Sequence, residues 1–125
     1  MKKTIIASDK LTVVGPYSAA VEAGGFIFIS GQIALDPKTG EAITDIQSAT
    51  RQVLTNMQTI LDAAGLKLTN IVKTTIYLIN ITDFSAVNEV YAGFFPEEPP
   101  ARSTIEVSAL PKGVPIEIEA IAARN

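Results

Sequence analysis

The sequence predicts an α/β fold in which two helices cover one face of a mixed sheet of about six strands. Two patterns support this prediction. Short β-branched and aromatic runs are separated by turn residues, and two longer segments carry apolar residues at helical spacing. The chain has 125 residues, enough for one domain with its own core. We therefore expect a single domain over residues 1–125.

The first strands are placed by the dipeptide Gly24-Gly25. It separates residues 18–23 from the apolar run 26–31, and a Gly-Gly pair between β-type runs predicts a hairpin of antiparallel strands. The run Ile5-Ile6-Ala7 predicts another strand before the hairpin. Residues 36–40, Asp-Pro-Lys-Thr-Gly, are typical of a turn that ends this β region.

A helix is predicted over residues 45–64. Thr44 and Gln47 have the spacing of a capping box, and Gly65 can adopt the left-handed conformation that stops a helix. Between them, the residues at helical spacing are Ile46, Ala49, Val53, Met57, Ile60 and Ala64. The β-branched run 71–79 predicts a central strand, parallel to the strand before the helix.

The last third of the chain predicts a second helix and two strands. Thr82 or Asp83 can cap the helix, which ends before Pro96 because proline cannot continue it. Its apolar stripe comprises Phe84, Val87, Tyr91 and Phe94. Strands are expected over residues 102–108 and 116–123, the second with clean alternation of apolar and acidic residues.

Both faces of this sheet are apolar. Phe26 and Phe28 point to one face, and Ile27 and Ile29 point to the other. Two helices can cover only one face, so the other must be buried against something else. Another copy of the chain is the economical partner, and the pattern predicts a closed homo-oligomer.

The composition excludes several function classes. The chain has no His, no Cys and no Trp, so catalytic triads, cysteine nucleophiles, Cys/His zinc sites and disulfides are impossible. Ten basic residues stand against thirteen acidic ones, which argues against nucleic-acid binding. No phosphate-binding glycine loop or metal-loop spacing is present, and we expect no metal and no cofactor. Without a signal-peptide or membrane-spanning apolar run, we expect a soluble cytoplasmic protein without membrane association.

Arg102 is the first candidate for a functional role. It follows Pro99-Pro100-Ala101, whose stiff backbone would hold it in place at the start of a strand, and a fixed guanidinium suits two-point binding of a carboxylate. The alternative is a structural ion pair with Glu106, Glu117 or Glu119. The other two arginines, Arg51 and Arg124, are expected to be solvated.

Glu117 and Glu119 share one face of the last strand, because they alternate with isoleucines. If strand 102–108 pairs with this strand, Arg102, Thr104 and Glu106 line a polar strip beside the two carboxylates. The simpler interpretation is a solvent-facing strand side. The functional interpretation is that one carboxylate holds a water molecule as a general acid or base.

Four further residues are weaker candidates. Tyr17 follows a rigid Gly-Pro turn, and Gly31, after Ser30 at a strand end, would let a ligand approach the backbone closely. Asn88 falls near the apolar stripe of the second helix, where its amide needs a partner. Tyr17 can equally be packing, and Asn88 can equally cap a neighbouring loop.

Seven short motifs in this order closely resemble the RidA family (YjgF/YER057c/UK114) of imine and enamine deaminases. They are Gly15-Pro16-Tyr17-Ser18, Ser30-Gly31-Gln32-Ile33, Pro37-Lys38-Thr39-Gly40, Ala63-Ala64-Gly65-Leu66, Ile71-Val72-Lys73-Thr74-Thr75, Pro100-Ala101-Arg102-Ser103 and Ile116-Glu117-Ile118-Glu119-Ala120-Ile121-Ala122. The resemblance implies a chorismate-mutase-like (YjgF-like) fold and a homotrimer with ligand clefts between subunits. It also implies hydrolysis of 2-iminopropanoate and 2-iminobutanoate to 2-oxo acids and ammonia.

By the same resemblance, Arg102 looks like the family's carboxylate-binding arginine and Glu117 like the residue that positions the attacking water. Residues that match the lining of the cleft are Tyr17, Ser30, Gly31 and Asn88. Thr104 stands where many bacterial members have cysteine, which can alter the polarity of the pocket. A trimer that binds 2-oxo acids or related carboxylates without turnover is the alternative function, and a ribonuclease or translation-inhibitor role fits the acidic charge poorly.

Overall fold

The computed structural model describes residues 2–125 as one six-stranded sheet with two α-helices. In chain order the elements are β1 (Thr4–Ile6), β2 (Ala20–Ala23), β3 (Phe26–Ile33), α1 (Ile46–Ala63), β4 (Ile71–Leu78), α2 (Phe84–Phe94), β5 (Ala101–Glu106) and β6 (Ile116–Ala123). The predicted number and type of these elements are confirmed. Neither helix in residues 2–125 is both long and apolar enough to cross a bilayer.

The strand order across the sheet is β1-β2-β3-β6-β4-β5. The predicted hairpin is confirmed, because β2 and β3 pair antiparallel on either side of Gly24 and Gly25, which both have positive φ. Strands β3 and β4 are parallel to each other, as predicted, because both pair antiparallel with β6, which lies between them. Strand β5 pairs parallel with β4 alone and so forms an edge of the sheet.

Helix α1 confirms the predicted position but not the predicted cap. Asp45, and not Thr44, is the N-cap, and its carboxylate accepts a hydrogen bond of 2.9 Å from the Ser48 backbone N–H. An ionised carboxylate at this position also faces the positive end of the helix dipole. Gly65 ends the helix with a φ of +74°, as its sequence position predicts.

Helix α2 begins differently from the prediction. Asp83 occupies the N-cap position, but its side chain makes no capping hydrogen bond. A 3₁₀ turn, Ile81–Asp83, precedes the helix instead, and the Glu106 carboxylate accepts a 2.9 Å hydrogen bond from the Ile81 N–H. Glu106 is therefore occupied in fixing the entry to α2.

The two faces of the sheet differ as the alternation predicts. On the side covered by α1 and α2, here called the helix face, Ile27 and Ile29 are buried in the core. On the opposite side, the open face, Phe26 and Phe28 are 47% and 46% exposed in the single chain. An apolar surface of this kind is typical of a protein interface. The homotrimer stays a prediction.

Candidate functional site

Arg102 lies on edge strand β5, with its side chain on the helix face. Its register partner is Thr74 of β4, whose hydroxyl is hydrogen-bonded at 2.7 Å to the Tyr91 hydroxyl on α2. The condition for the predicted polar strip, pairing of this strand with β6, is not met, because β4 lies between them. Arg102 and Thr104 therefore do not form a polar strip beside Glu117.

The guanidinium of Arg102 is held by aromatic rings. Its central carbon lies over the Phe84 ring, 5.2 Å from the ring centroid, and over the Tyr91 ring at 4.9 Å. Within residues 2–125, the only ion pair shorter than 4.0 Å joins Arg124 to Glu22, so the alternative of a structural ion pair for Arg102 is wrong. Aromatic faces stabilise a cation without supplying a hydrogen-bond acceptor.

Two more candidate residues lie on this side of the sheet. Asn88 is half-buried on α2, four residues after Phe84 and three before Tyr91, so it shares the helix side that contacts Arg102. Thr104 follows Arg102 on the same face of β5. Its buried hydroxyl oxygen has no hydrogen-bond partner among the described residues. Asn88, Arg102 and Thr104 thus form one group, here called the arginine group.

Glu117 lies on the open face of β6, on the other side of the sheet from Arg102. Its half-buried side chain packs against Gly31, where an added Cβ would lie 2.8 Å from Cδ of the glutamate and 3.1 Å from Cγ. Burial raises the pKa of the Glu117 carboxyl, and the negative charge of Glu119 raises it further. Tyr77 of β4 faces both carboxylates and donates a 3.1 Å hydrogen bond to Glu119.

Gly31 lies in a bulge of β3, where the register with β6 shifts between Ile29 and Gln32. The hydroxyl of Ser30, also in the bulge, donates a 2.6 Å hydrogen bond to the Ser18 carbonyl. That bond joins the segment before β2 to β3. The hydroxyl hydrogen of Ser30 is therefore engaged in a structural hydrogen bond and is not free to be donated to a ligand. Ser30, Gly31 and Glu117 form a second group, here called the glutamate group.

Tyr17 shares a cavity with Gly31, one member of the glutamate group. Its N–H donates a 2.9 Å hydrogen bond to the Gly15 carbonyl, which closes the predicted turn, and its ring is 49% exposed. Tyr17 and Gly31 both line a cavity of about 310 Å³ beneath the segment that precedes β2, together with Gln32 and Asn56. In residues 2–125 no three acidic side chains converge as a metal site would require.

The chain matches a known protein family and individual proteins along nearly its whole length. A family model described as Endoribonuclease L-PSP matches residues 7–124. A RutC family protein of Pyrococcus horikoshii is 54% identical over 98% of this chain and 98% of its own length. The 2-iminobutanoate/2-iminopropanoate deaminase of Escherichia coli K12 is 48% identical over 100% of both chains. The chain belongs to the RidA family. The resemblance predicted from seven motifs is therefore confirmed.

The RidA fold is confirmed as well. The crystal structure of E. coli TdcF with bound serine matches with a TM-score of 0.91 and 42% identity, over 98% of this chain and 99% of that one. The YjgF-like α/β fold implied by the RidA resemblance is thus the fold that this chain adopts.

Sequence reasoning missed the contacts of three residues, two of them beside Arg102 and the third, Arg124, outside both groups. Phe84 and Tyr91 were assigned to an apolar stripe, but both contact the Arg102 guanidinium. Their spacing of seven residues places both rings on one side of the helix, and this pattern could have indicated that they contact the same group. Arg124 is not merely solvated, because it forms hydrogen bonds of 2.8 and 2.9 Å to the Glu22 carboxylate and one of 2.8 Å to the Ala64 carbonyl. No local pattern signals that long-range contact.

Proposed function

We propose that this protein hydrolyses 2-iminopropanoate and 2-iminobutanoate to 2-oxo acids and ammonia. The observation that carries the proposal is an arginine with no anionic partner: Arg102 is held at a fixed place, and its donors are not spent on a carboxylate of residues 2–125. Planar guanidinium groups bind carboxylates at two points. The E. coli relative named as a deaminase of these two imines, and the TdcF structure with serine, a small carboxylated molecule, support this substrate class.

We further propose that the cleft lies between two copies of the chain in a homotrimer. Arg102 and Glu117 occupy opposite faces of the sheet, on strands separated by β4. Two strand spacings correspond to about 10 Å, which is too far for one small ligand to touch both side chains through the sheet. Two adjacent copies remove this conflict. One copy would contribute Tyr17, Ser30, Gly31 and Glu117, and the other would contribute Asn88, Arg102 and Thr104.

In this cleft Arg102 binds the substrate carboxylate, which fixes the position of the imine carbon. Glu117 accepts a proton from water as the water oxygen bonds to that carbon, and the C=N electron pair moves to nitrogen. Glu117 then returns the proton to the nitrogen of the carbinolamine. The hydroxyl group of the carbinolamine then gives its proton to the Glu117 carboxylate as the carbonyl forms, and the C–N bond breaks with its electron pair on nitrogen. Ammonia leaves and takes up that proton from Glu117, which forms ammonium and restores the carboxylate. The products are the 2-oxo acid and ammonium, so one water molecule is consumed.

The environment of Glu117 suits this role. Its partial burial and the nearby charge of Glu119 raise its pKa, and a carboxylate with a raised pKa is a stronger base once ionised. A protonated imine is already electrophilic, so a carboxylate and a bound water can carry the step. The arginine group therefore orients the substrate, and the glutamate group transfers the proton.

A coupled assay tests this proposal. A threonine or serine dehydratase generates the imine, and semicarbazide traps whatever imine survives. Wild-type protein is expected to reduce trapping, whereas Arg102→Ala and Arg102→Lys are expected to lose this effect, the second because a lysine ammonium lacks the two-point geometry. Arg51→Lys is the matched control, because Arg51 is exposed on α1. Equal trapping with Arg102→Ala and with wild-type protein would overturn the mechanism.

The Glu117→Gln variant separates catalysis from binding. It keeps the size of the side chain but cannot accept the proton, so 2-oxobutanoate binding should persist while hydrolysis stops. Binding of 2-oxobutanoate by wild-type protein without any hydrolysis would instead favour a regulatory trimer. The family description as an endoribonuclease predicts RNA cleavage, which the net charge of −3 disfavours. Incubation with labelled RNA checks that outcome directly.

A further inference from the structure

The surroundings of Arg102 contain two aromatic rings and a buried hydroxyl pair that the proposed mechanism does not use. Phe84 and Tyr91 both place their rings against the guanidinium, at 5.2 and 4.9 Å from its central carbon to each centroid. The Tyr91 hydroxyl is bonded at 2.7 Å to the hydroxyl of Thr74, the register partner of Arg102 on β4. Helix α2 and strands β4 and β5 therefore meet at this one cation.

We propose that Phe84 and Tyr91 are positioning residues that orient Arg102 for carboxylate binding, and that Thr74 fixes the Tyr91 ring. This inference rests on the proposed function of the site. A half-buried arginine needs compensation for lost hydration, and a carboxylate partner would supply it but would occupy the N–H donors. Aromatic rings stabilise the charge and leave every donor free for a ligand.

The two rings have different structural roles. Tyr91 is 6% exposed and packs against the Phe95 ring at 4.7 Å between centroids, and its partner Thr74 is fully buried. The orientation of Tyr91 is thus set by the core. Phe84 is 40% exposed, at the first turn of α2. Its ring covers Arg102 from the exposed side. Replacing Phe84 therefore changes the aromatic contacts of Arg102 with little effect on the core.

The inference predicts a specific kinetic pattern. Phe84→Leu retains an apolar side chain but removes the ring, so Arg102 should bind carboxylates less well. The loss of one cation–π contact corresponds to about fivefold weaker binding of 2-oxobutanoate, with a matching rise in KM. The maximal rate should change much less, because Glu117 and its water are untouched. A purely structural role would lower stability and rate together.

Arginine side-chain NMR gives a second readout that is independent of the reaction. The chain has only three arginines, so only three Nε–H signals are possible, and Arg102→Lys identifies the one from Arg102. Ring currents from Phe84 and Tyr91 should displace this signal and the neighbouring side-chain protons. Phe84→Leu should move them toward the positions of an exposed arginine. Tyr91→Phe keeps the ring but breaks the bond to Thr74, and should broaden the signal.

Phe94→Leu is the matched control, since Phe94 also lies on α2 and packs against the core without contacting the guanidinium. It should leave the Arg102 signal and 2-oxobutanoate binding unchanged. The inference is overturned if Phe84→Leu leaves both the Arg102 signal and 2-oxobutanoate binding as in wild type. The two proposals can also fail separately. If Phe84→Leu displaces the Arg102 signal but the wild-type protein hydrolyses no imine, the proposed function is overturned, whereas the orientation of Arg102 by the aromatic rings is upheld.

Discussion

Gly31→Ala is expected to remove activity while sparing stability. A methyl group at residue 31 would lie 2.8 Å from the Glu117 Cδ, whereas ordinary carbon contacts are about 3.5–4.0 Å, so the carboxyl group must retreat by about 0.7–1.2 Å. A displacement of about 1 Å in a reacting group can reduce the rate by about 100-fold. We therefore expect a loss of imine hydrolysis of about that size.

The same substitution should have little effect on folding. Gly31 does not have a left-handed φ, so alanine is compatible with the backbone, and the atoms in the way belong to the end of a flexible side chain. We expect the free energy of unfolding to change by less than about 1 kcal/mol. Urea denaturation measures this quantity, and the semicarbazide assay measures hydrolysis on the same preparation.

Gly93→Ala is the matched control. Gly93 lies in α2, and an added Cβ would meet no atom within 4 Å. This variant should keep full activity and gain about 0.5–1 kcal/mol of stability from the higher helix propensity of alanine. Full hydrolysis by a folded Gly31→Ala protein would refute the role of Glu117 at its observed position. A parallel fall in stability and activity would show that Gly31 is needed for folding.

Three further variants test the charges. Glu117→Gln should stop hydrolysis yet raise the free energy of unfolding at neutral pH, because the folded state raises the pKa of Glu117 and so disfavours its ionised form. In urea titrations this gain should appear as the pH rises through the raised pKa and should vanish at lower pH, where the carboxyl is protonated in both states. Glu119→Gln removes one cause of the raised pKa, so the acid limb of kcat/KM should move to lower pH; an unmoved limb would contradict the coupling. Arg124→Ala breaks the contacts to Glu22 and the Ala64 carbonyl, and should lower the melting temperature without changing hydrolysis. This effect should shrink as salt is added, and salt-independent destabilisation would indicate lost packing instead.

Local patterns were sufficient for most elements. The Gly24-Gly25 hairpin, the extent of α1 and the limits of β6 follow from turn chemistry and apolar spacing, and all three are confirmed. These signals work because they depend on residues within one turn or one strand. The helix caps were less predictable. The N-cap of α1 is Asp45 and not the predicted Thr44, and the backbone at the start of α2 donates to Glu106 and not to a capping side chain of its own. Several polar residues nearby can accept from the same N–H groups, so the sequence does not single one out.

The sequence indicated candidate site residues, whose roles stay a prediction, but it did not indicate their arrangement. Arg102 and Glu117 were identified from their settings and from the family motifs, whereas their proximity within one chain was not borne out by the sheet order. The aromatic surroundings of Arg102 also depended on how α2 packs over β4 and β5. Both results depend on contacts between segments that are distant in sequence.

By itself, the sequence determined that this protein is built from six strands and two helices, that both sheet faces are apolar, and that its chemistry uses no His or Cys. Alternation and composition are properties of single segments, so these features can be predicted without knowing which strands pair. Only the tertiary structure decided that β6 lies between β3 and β4 and that β5 is an edge strand. The pairing register places Arg102 and Glu117 on opposite faces, because a side chain's face depends on its register with a partner strand.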